Sequence, residues 1–352
     1  MSHLMGITQS SFDPASRFRF VQFIPHLERS GWRVDFRPNR PDRQWHSTLP
    51  SRSLRALHYR AGRLVMKANR LRDVLAAPAC DVVFVNRDLA SEGAGLRRLF
   101  QRAIHKTVFD FDDAIFVGSR ESAVRWMCTH AGWVTPGNEY LAQYARQFNN
   151  NVTIIPTVID TDACRPGSAP AGRTGLVRIG WSGSDQSIQA TLVPQLAMLR
   201  ELQAKMPFEL VVITNTAPRL PVPDLRWRFV PWSARGEAHL ADELDIGIMP
   251  LADDAFQRGK CALKLLQYMA AGLPTVASPV GVNATVVQPG VTGFLATSPA
   301  QWHAALARLL GDTGLRARLG AAGRQVCEQD YSIRRWLPTL LQIFDRIREA
   351  TA

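Results

Sequence analysis

The sequence predicts an α/β fold in which two largely parallel sheets follow one another along the chain. Three observations predict it. Short β-rich runs alternate with helical stretches, a breaker-rich segment interrupts the alternation, and the alternation then restarts. A single large sheet is the alternative to two similar folds in tandem.

In the first half, strands are expected at HLMGITQ (3–9), WRVDFRP (32–38), DVVFVNR (81–87), KTVFDF (106–111), AGWVTP (131–136) and VTIIPTV (152–158). Helices fill most of the intervals. DTDACRPGSAPAGRTG (160–175) has two Pro, three Gly and no apolar periodicity, and it reads as an interdomain linker. Strands then recur at LVRIGWSG, FELVVITN, LRWRFVPW, DIGIMPL, PTVASPV and GFLAT. The last segment, SIRRWLPTLLQIFDRIREA, is an amphipathic helix starting near Ser332. The expected domains are 1–165, 166–330, and a helix over 331–352 that packs back across the domain junction.

Composition narrows the class. With 352 residues and 46% hydrophobic content the chain is long enough for two domains. No run approaches the roughly 18 apolar residues of a membrane span, and MSHLMGITQSS lacks the basic and apolar regions of a signal peptide. Cysteines 80, 128, 164, 261 and 327 are odd in number and form no C-x-x-C pair, which argues for reduced thiols in the cytoplasm and against a structural zinc. The formal charge is +12, and residues 1–75 hold 14 Lys+Arg against 5 Asp+Glu. Such an excess on one segment suggests an anionic partner.

Much of that charge lies in SRSLRALHYRAGRLVMKANRLRDVL (51–75). Leu54, Leu57, Ala61, Leu64, Val65, Ala68, Leu71 and Leu75 recur at helical spacing, with seven Arg and Lys among the rest. One reading docks the apolar stripe on the sheet and leaves a solvated basic face. A compatible second reading lays the basic face on anionic lipid headgroups. Aromatics do not interleave with the cations as a base-stacking platform requires, so nucleic acid is not expected as a partner.

In IGWSGSDQS (179–187) a strand runs through the turn Ser182-Gly183-Ser184 into a helix starting near Asp185. Strand, small-residue turn and helix start together can hold a phosphate. The turn is not a G-x-G-x-x-G dinucleotide motif. GKCALKLLQYMAAGLPTVAS (259–278) adds to it. After the strand in DELDIGIMPL comes a polar loop, then a helix expected from about Cys261, with Lys260 and Lys264 within about one turn. A helix start at the carboxyl end of a parallel strand is where open α/β sheets bind ligands. Cations there oppose the helix dipole by about 0.3–1 kcal/mol each, which makes sense if an anion such as a diphosphate lies between them. Otherwise the lysines simply reach solvent.

These residues carry a family resemblance. GKCALKLLQYMAAGLPTVASPVGVN, with DIGIMPL before it and GVTGFLA after it, resembles the donor-binding half of family-4 glycosyltransferases of the GT-B fold. IGWSGS, VTIIPTVID and GNEYLAQYA are similar to further segments of that family, so the likeness covers roughly residues 105–345. It implies two Rossmann-like domains with mostly parallel sheets facing a central cleft. It also implies sugar transfer from a nucleotide-sugar donor with retention and without a metal or other cofactor. The family's two acidic positions, which contact the donor's sugar and ribose, are Gly259 and Gln267 here. The cationic pair usual in the first turn of that domain is not evident after Ser184. Lys260 and Lys264 are therefore expected to stabilise the leaving diphosphate in its place. The donor-side set comprises Ser182, Gly183, Ser184, Trp232, Lys260, Cys261, Ala262, Leu263, Lys264 and Gln267. Trp232 either stacks on the nucleobase or packs as core.

KTVFDFDDAIF (106–116) places Asp110, Asp112 and Asp113 at a strand end. Three readings stay open: acids that orient an acceptor hydroxyl or stabilise the sugar cation, a helix cap, or a metal site. With Lys260, these three form the expected catalytic set. Arg17, Arg19 and Asn138 are candidates for the acceptor or phosphate side. The function expected is transfer to a glycan or lipid-linked acceptor in bacterial surface polysaccharide or glycoconjugate synthesis, at the cytoplasmic side of the inner membrane. Its rivals are a sugar-nucleotide epimerase or hydrolase and a non-catalytic sugar-nucleotide-binding subunit.

Overall fold

The computed structural model describes residues 1–40, 51–87, 93–164, 166–167 and 175–351. Contacts divide the chain into two units, Met1–Thr157 with Trp336–Ala352, and Val158–Arg335. The expected linker falls partly outside the described residues. Its first residues belong to the second unit, because Ile159 bridges Ser332 and Arg324 donates to the carbonyls of Thr161 and Cys164.

In the first unit, β1 (Ser2–Thr8), β2 (Trp32–Pro38), β3 (Val82–Asn86), β4 (Thr107–Phe111) and β5 (Trp133–Pro136) form a parallel sheet in the order β2-β1-β3-β4-β5. β3 and β4 are buried along their whole length, as near-continuous apolar strands covered on both faces must be. The expected sixth strand at 152–158 does not form. Val152 makes one bridge to Val134, and Thr153 and Ile155 donate to the carbonyls of Val134 and Pro136. The pairing stops where β5 ends, at Pro136, and the Ile155 carbonyl accepts from the Arg19 guanidinium instead.

The final helix, Ile333–Thr351, completes this unit. It buries Leu340, Ile343, Phe344 and Ile347, and Phe344 meets the rings of Trp32 and Phe84 edge-on.

The helix Arg52–Ala76, capped by the Ser51 side chain, reverses one expectation. Its buried residues are Arg70, Asp73 and Val74, and Arg70 donates to the Thr8 carbonyl at 2.6 Å. The leucine stripe is not the docked face. Leu54, Leu57, Leu64, Val65, Leu71 and Leu75 are all exposed.

The second unit holds β6 (Val177–Ser182), β7 (Phe208–Thr214), β8 (Trp227–Pro231), β9 (Ile246–Met249), β10 (Thr275–Ala277) and β11 (Gly293–Leu295). They form a parallel sheet in the order β11-β10-β9-β6-β7-β8. All six expected strands are present. The chain runs outward from β6 through β7 to β8, then returns to the other side of β6 with β9. That reversal puts a topological switch point at the carboxyl ends of β6 and β9, where open α/β sheets bind ligands. In the first sheet the same logic marks the carboxyl ends of β1 and β3.

Candidate active site

In the second unit the switch point is built by the turn after β6 and the helix Leu263–Ala270 after β9. Trp181, the penultimate residue of β6, is fully buried, and among the described residues its indole nitrogen has no hydrogen-bond partner. The Lys264 ammonium lies 4.4 Å from the centroid of that indole. A Cβ on Gly183 would sit 2.7 Å from the same ammonium nitrogen and 2.6 Å from the indole ring. Only glycine admits this approach of backbone, ring and cation.

Two donors of the turn are already used. The Ser182 amide donates to the Tyr268 hydroxyl at 2.9 Å, and the Gly183 amide to the Ile213 carbonyl at 3.0 Å. Ser184, which closes the turn, is exposed. Asp185 follows, and its carboxylate accepts from the hydroxyls of Thr214 and Thr216.

The helix starts two residues later than expected, at Leu263, so Lys260 and Cys261 belong to the loop. Ala262 precedes the first helical residue at φ 55°, a left-handed conformation that costs a non-glycine residue about 1–2 kcal/mol. Strain of this kind persists where surrounding structure fixes it, often beside a ligand. Lys260 places its ammonium 5.5 Å from the centroid of the Phe256 ring. Lys264 is partly buried; desolvation first, and the charge of Lys260 second, push its pKa down to about 7. Among the described residues it has no carboxylate or carbonyl partner. Gln267, one turn on, is 5% exposed, and its buried amide nitrogen has no partner among the described residues. A buried unpaired donor costs about 1–3 kcal/mol. The turn Ser182-Gly183-Ser184, Lys264 and its helix therefore come together as expected, with a cation poised between charged and neutral. Trp232 lies just past β8, half-buried, its amide donating to Thr214.

The first unit corrects three expectations. Asp110 lies within β4, and its carboxylate is saturated. It accepts from Arg19 Nη2 at 2.6 Å and Nε at 3.1 Å, from Thr135 at 2.8 Å and from Asn86 at 2.9 Å. Arg19 also donates to the Ile155 carbonyl. Both side chains are buried, so this pair holds the unit together and neither group is presented to a substrate. Asn138 is likewise buried, and its side-chain oxygen caps the helix Glu139–Ala145. Arg17 is half-buried, 5.0 Å from the Phe18 ring centroid.

Asp112 and Asp113, just beyond β4, do not cap the next helix, which begins at Glu121. They clamp Arg87, at 2.9 Å through Nε and 2.6 Å through Nη2. Burial disfavours the Arg87 charge, but the two carboxylates outweigh it and hold the guanidinium above its ordinary pKa. Arg87 in turn holds Asp112 below the usual carboxylate range despite burial. Arg87 has φ 68° at the carboxyl end of β3. It was not legible in the sequence, where it reads as the last residue of an apolar run. Tyr268 was missed for a similar reason, since a tyrosine inside an apolar helix looks like core. Among the described residues no group of three or more His, Cys, Asp or Glu is placed to hold a metal ion.

With this geometry in view, residues 186–312 match the family described as glycosyl transferases group 1. The match lies wholly within the second unit. The segment includes Trp232, Lys260, Lys264 and Gln267. The chain is 27% identical over 209 residues to the D-inositol 3-phosphate glycosyltransferase of Stackebrandtia nassauensis, covering 52% of this chain and 46% of that protein. It spans less than half the length of the curated relatives it matches. Among solved structures it is similar to sucrose-phosphate synthase from Thermosynechococcus elongatus, with a TM-score of 0.69, 17% identity and 99% and 100% of the two chains covered. It is also similar to HepE from Anabaena in complex with UDP and glucose, with a TM-score of 0.66, 15% identity and 100% and 99% covered. The fold is GT-B.

Proposed function

We propose that the chain transfers a sugar from a nucleotide-sugar donor, with retention, to a glycan or lipid-linked acceptor in bacterial surface polysaccharide or glycoconjugate synthesis. The observation that carries this reading is Lys264, a partly buried lysine with a pKa of about 7, set against Gly183 at the switch point of the second sheet. An arriving diphosphate restores the proton to this amine and neutralises its charge. As the glycosidic bond breaks, negative charge grows on the leaving nucleoside diphosphate. A cation already fixed beside it stabilises that charge without reorganisation. Lys260, whose charge Lys264 already feels, adds to the field.

Gln267 offers its unpaired amide nitrogen to a ribose hydroxyl, as the uncharged counterpart of the acid that the family resemblance expects. With these cations supplied by the chain, the transfer is proposed to need no metal. On the acceptor side, Asp112 and Asp113, held by Arg87, are the acids proposed to orient the acceptor hydroxyl; Asp110 is not among them. The neighbouring structure with UDP and glucose makes UDP-glucose the first donor to try.

The test is turnover of a labelled nucleotide sugar with and without bacterial lipid extract. Sugar incorporation into lipid by the wild type, and a fall of at least about tenfold in kcat/KM for Lys264→Ala, are expected, since a single stabilising donor contributes about 10²–10³. Full turnover with unchanged donor affinity in Lys264→Ala would remove the role of that lysine. Nucleotide binding without turnover of any sugar nucleotide would instead favour a binding subunit.

A further inference from the structure

The exposed stripe on the helix Arg52–Ala76 demands a covering partner. A helix of a soluble domain ordinarily turns its apolar stripe inward. Here Leu54, Leu57, Leu64, Val65, Leu71 and Leu75 fall on one face at 100° per residue, and that face points away from the sheet. Leu57 is 64% exposed and Leu64 is 68% exposed. The helix docks by the opposite side of its C-terminal third, through Arg70, Asp73 and Val74. From Leu54 to Leu75 the stripe runs for about 30 Å at 1.5 Å per residue. It is too long and continuous to be scattered surface leucines.

Charge decides what covers it. Residues 51–72 contain seven Arg and Lys and no Asp or Glu. Arg60 and Lys67 border the stripe on one side and Arg72 lies at its other edge, while Arg52, Arg55, Arg63 and the buried Arg70 lie on the opposite side. A second copy of the helix would bring these like charges together across an apolar seam, whereas an anionic surface neutralises them. Length and hydropathy exclude a spanning role, since no helix of the described residues is long and apolar enough to cross a membrane.

We infer that the helix Arg52–Ala76 lies in the plane of an anionic phospholipid surface, with its leucines in the headgroup–acyl boundary and its flanking cations on lipid phosphates. This deepens the proposed function by naming the surface that brings the chain to a lipid-linked acceptor. Vesicle binding is measured without donor or acceptor, so either reading can fail alone.

The experiment is co-sedimentation of the full chain with phosphatidylcholine vesicles, with and without phosphatidylglycerol. Binding is expected only with phosphatidylglycerol, and release in high salt. Leu57→Gln with Leu64→Gln should weaken partition by more than about tenfold. Both sites are exposed, so the melting temperature and UDP binding should be unchanged. Arg60→Gln with Lys67→Gln should weaken it roughly thirtyfold. No binding to phosphatidylglycerol vesicles at low salt, or equal binding by the leucine variant, overturns the inference. So does a concentration-dependent dimer in sedimentation velocity that the leucine pair abolishes while vesicles are ignored.

Discussion

At Lys264, burial and the charge of Lys260 both disfavour the ammonium, and this has consequences for stability as well as binding. Its pKa is about 7 in the folded chain against 10.5 as the ordinary value. The folded state therefore binds fewer protons than the unfolded state between those values. Lys264 destabilises the fold increasingly as pH falls through that window, and fully below about 7. Lys264→Met should raise the melting temperature most at pH 7 and below, with the gain shrinking toward pH 10. The same variant should bind UDP more weakly, a stability–function trade-off of the kind active sites show. In the wild type, UDP affinity should fall by up to about tenfold per unit as pH rises above 7, because binding must then bring a proton with it. Calorimetry at pH 8 and 9, where the diphosphate is almost fully ionised, checks this; a flat profile would separate Lys264 from the phosphate. Asp110 differs in kind. Asp110→Asn leaves the Arg19 guanidinium buried without its counter-charge and should cost about 3–5 kcal/mol. Adding Arg19→Met should recover part of it in urea unfolding.

Among elements, the helix Leu263–Ala270 is fixed at three places, which is why its first turn can present a lysine so close to β6. The Tyr268 hydroxyl accepts from the Ser182 amide, tying the helix to the turn. Tyr268→Phe should cost about 1–3 kcal/mol and raise the donor KM more than it lowers kcat, measured by steady-state kinetics beside thermal melts. Arg324 from the helix Thr313–Asp330 donates to the Ala270 carbonyl at the C-terminal end. Where that same helix crosses, a Cβ on Gly320 would stand 1.9 Å from the Gly272 carbonyl oxygen. Gly320→Ala must separate the two elements and should destabilise by about 1–3 kcal/mol. A melting temperature equal to wild type would show that the crossing relaxes freely.

At the scale of the whole molecule, each unit has its own core, and the first borrows its last element from the far end of the chain. Phe344→Ala should cost about 3–5 kcal/mol and act on the first unit. Scanning calorimetry should show its transition falling while UDP still shifts the transition of the second. This division was only partly legible. The alternation of β-rich and helical runs identified both sheets, because strand and helix periodicities are local properties of sequence. The sixth strand of the first half failed because β5 ends at Pro136 and the buried Arg19 takes the Ile155 carbonyl, neither of which local periodicity encodes.

The sequence by itself determined two parallel sheets, the turn Ser182-Gly183-Ser184, and the cation-bearing helix after β9. Glycine, small residues and periodicity act over a few residues, and those were readable. Only the tertiary structure decided which charges meet. Arg19 and Asp110 turn inward to each other, Arg87 takes Asp112 and Asp113, and Lys264 stands over Trp181 with no carboxylate partner among the described residues. It also decided that the leucines of the helix Arg52–Ala76 face outward. Partners in these pairs lie 25 to 91 residues apart along the chain, or on a face that docking alone selects, so no local pattern encodes them.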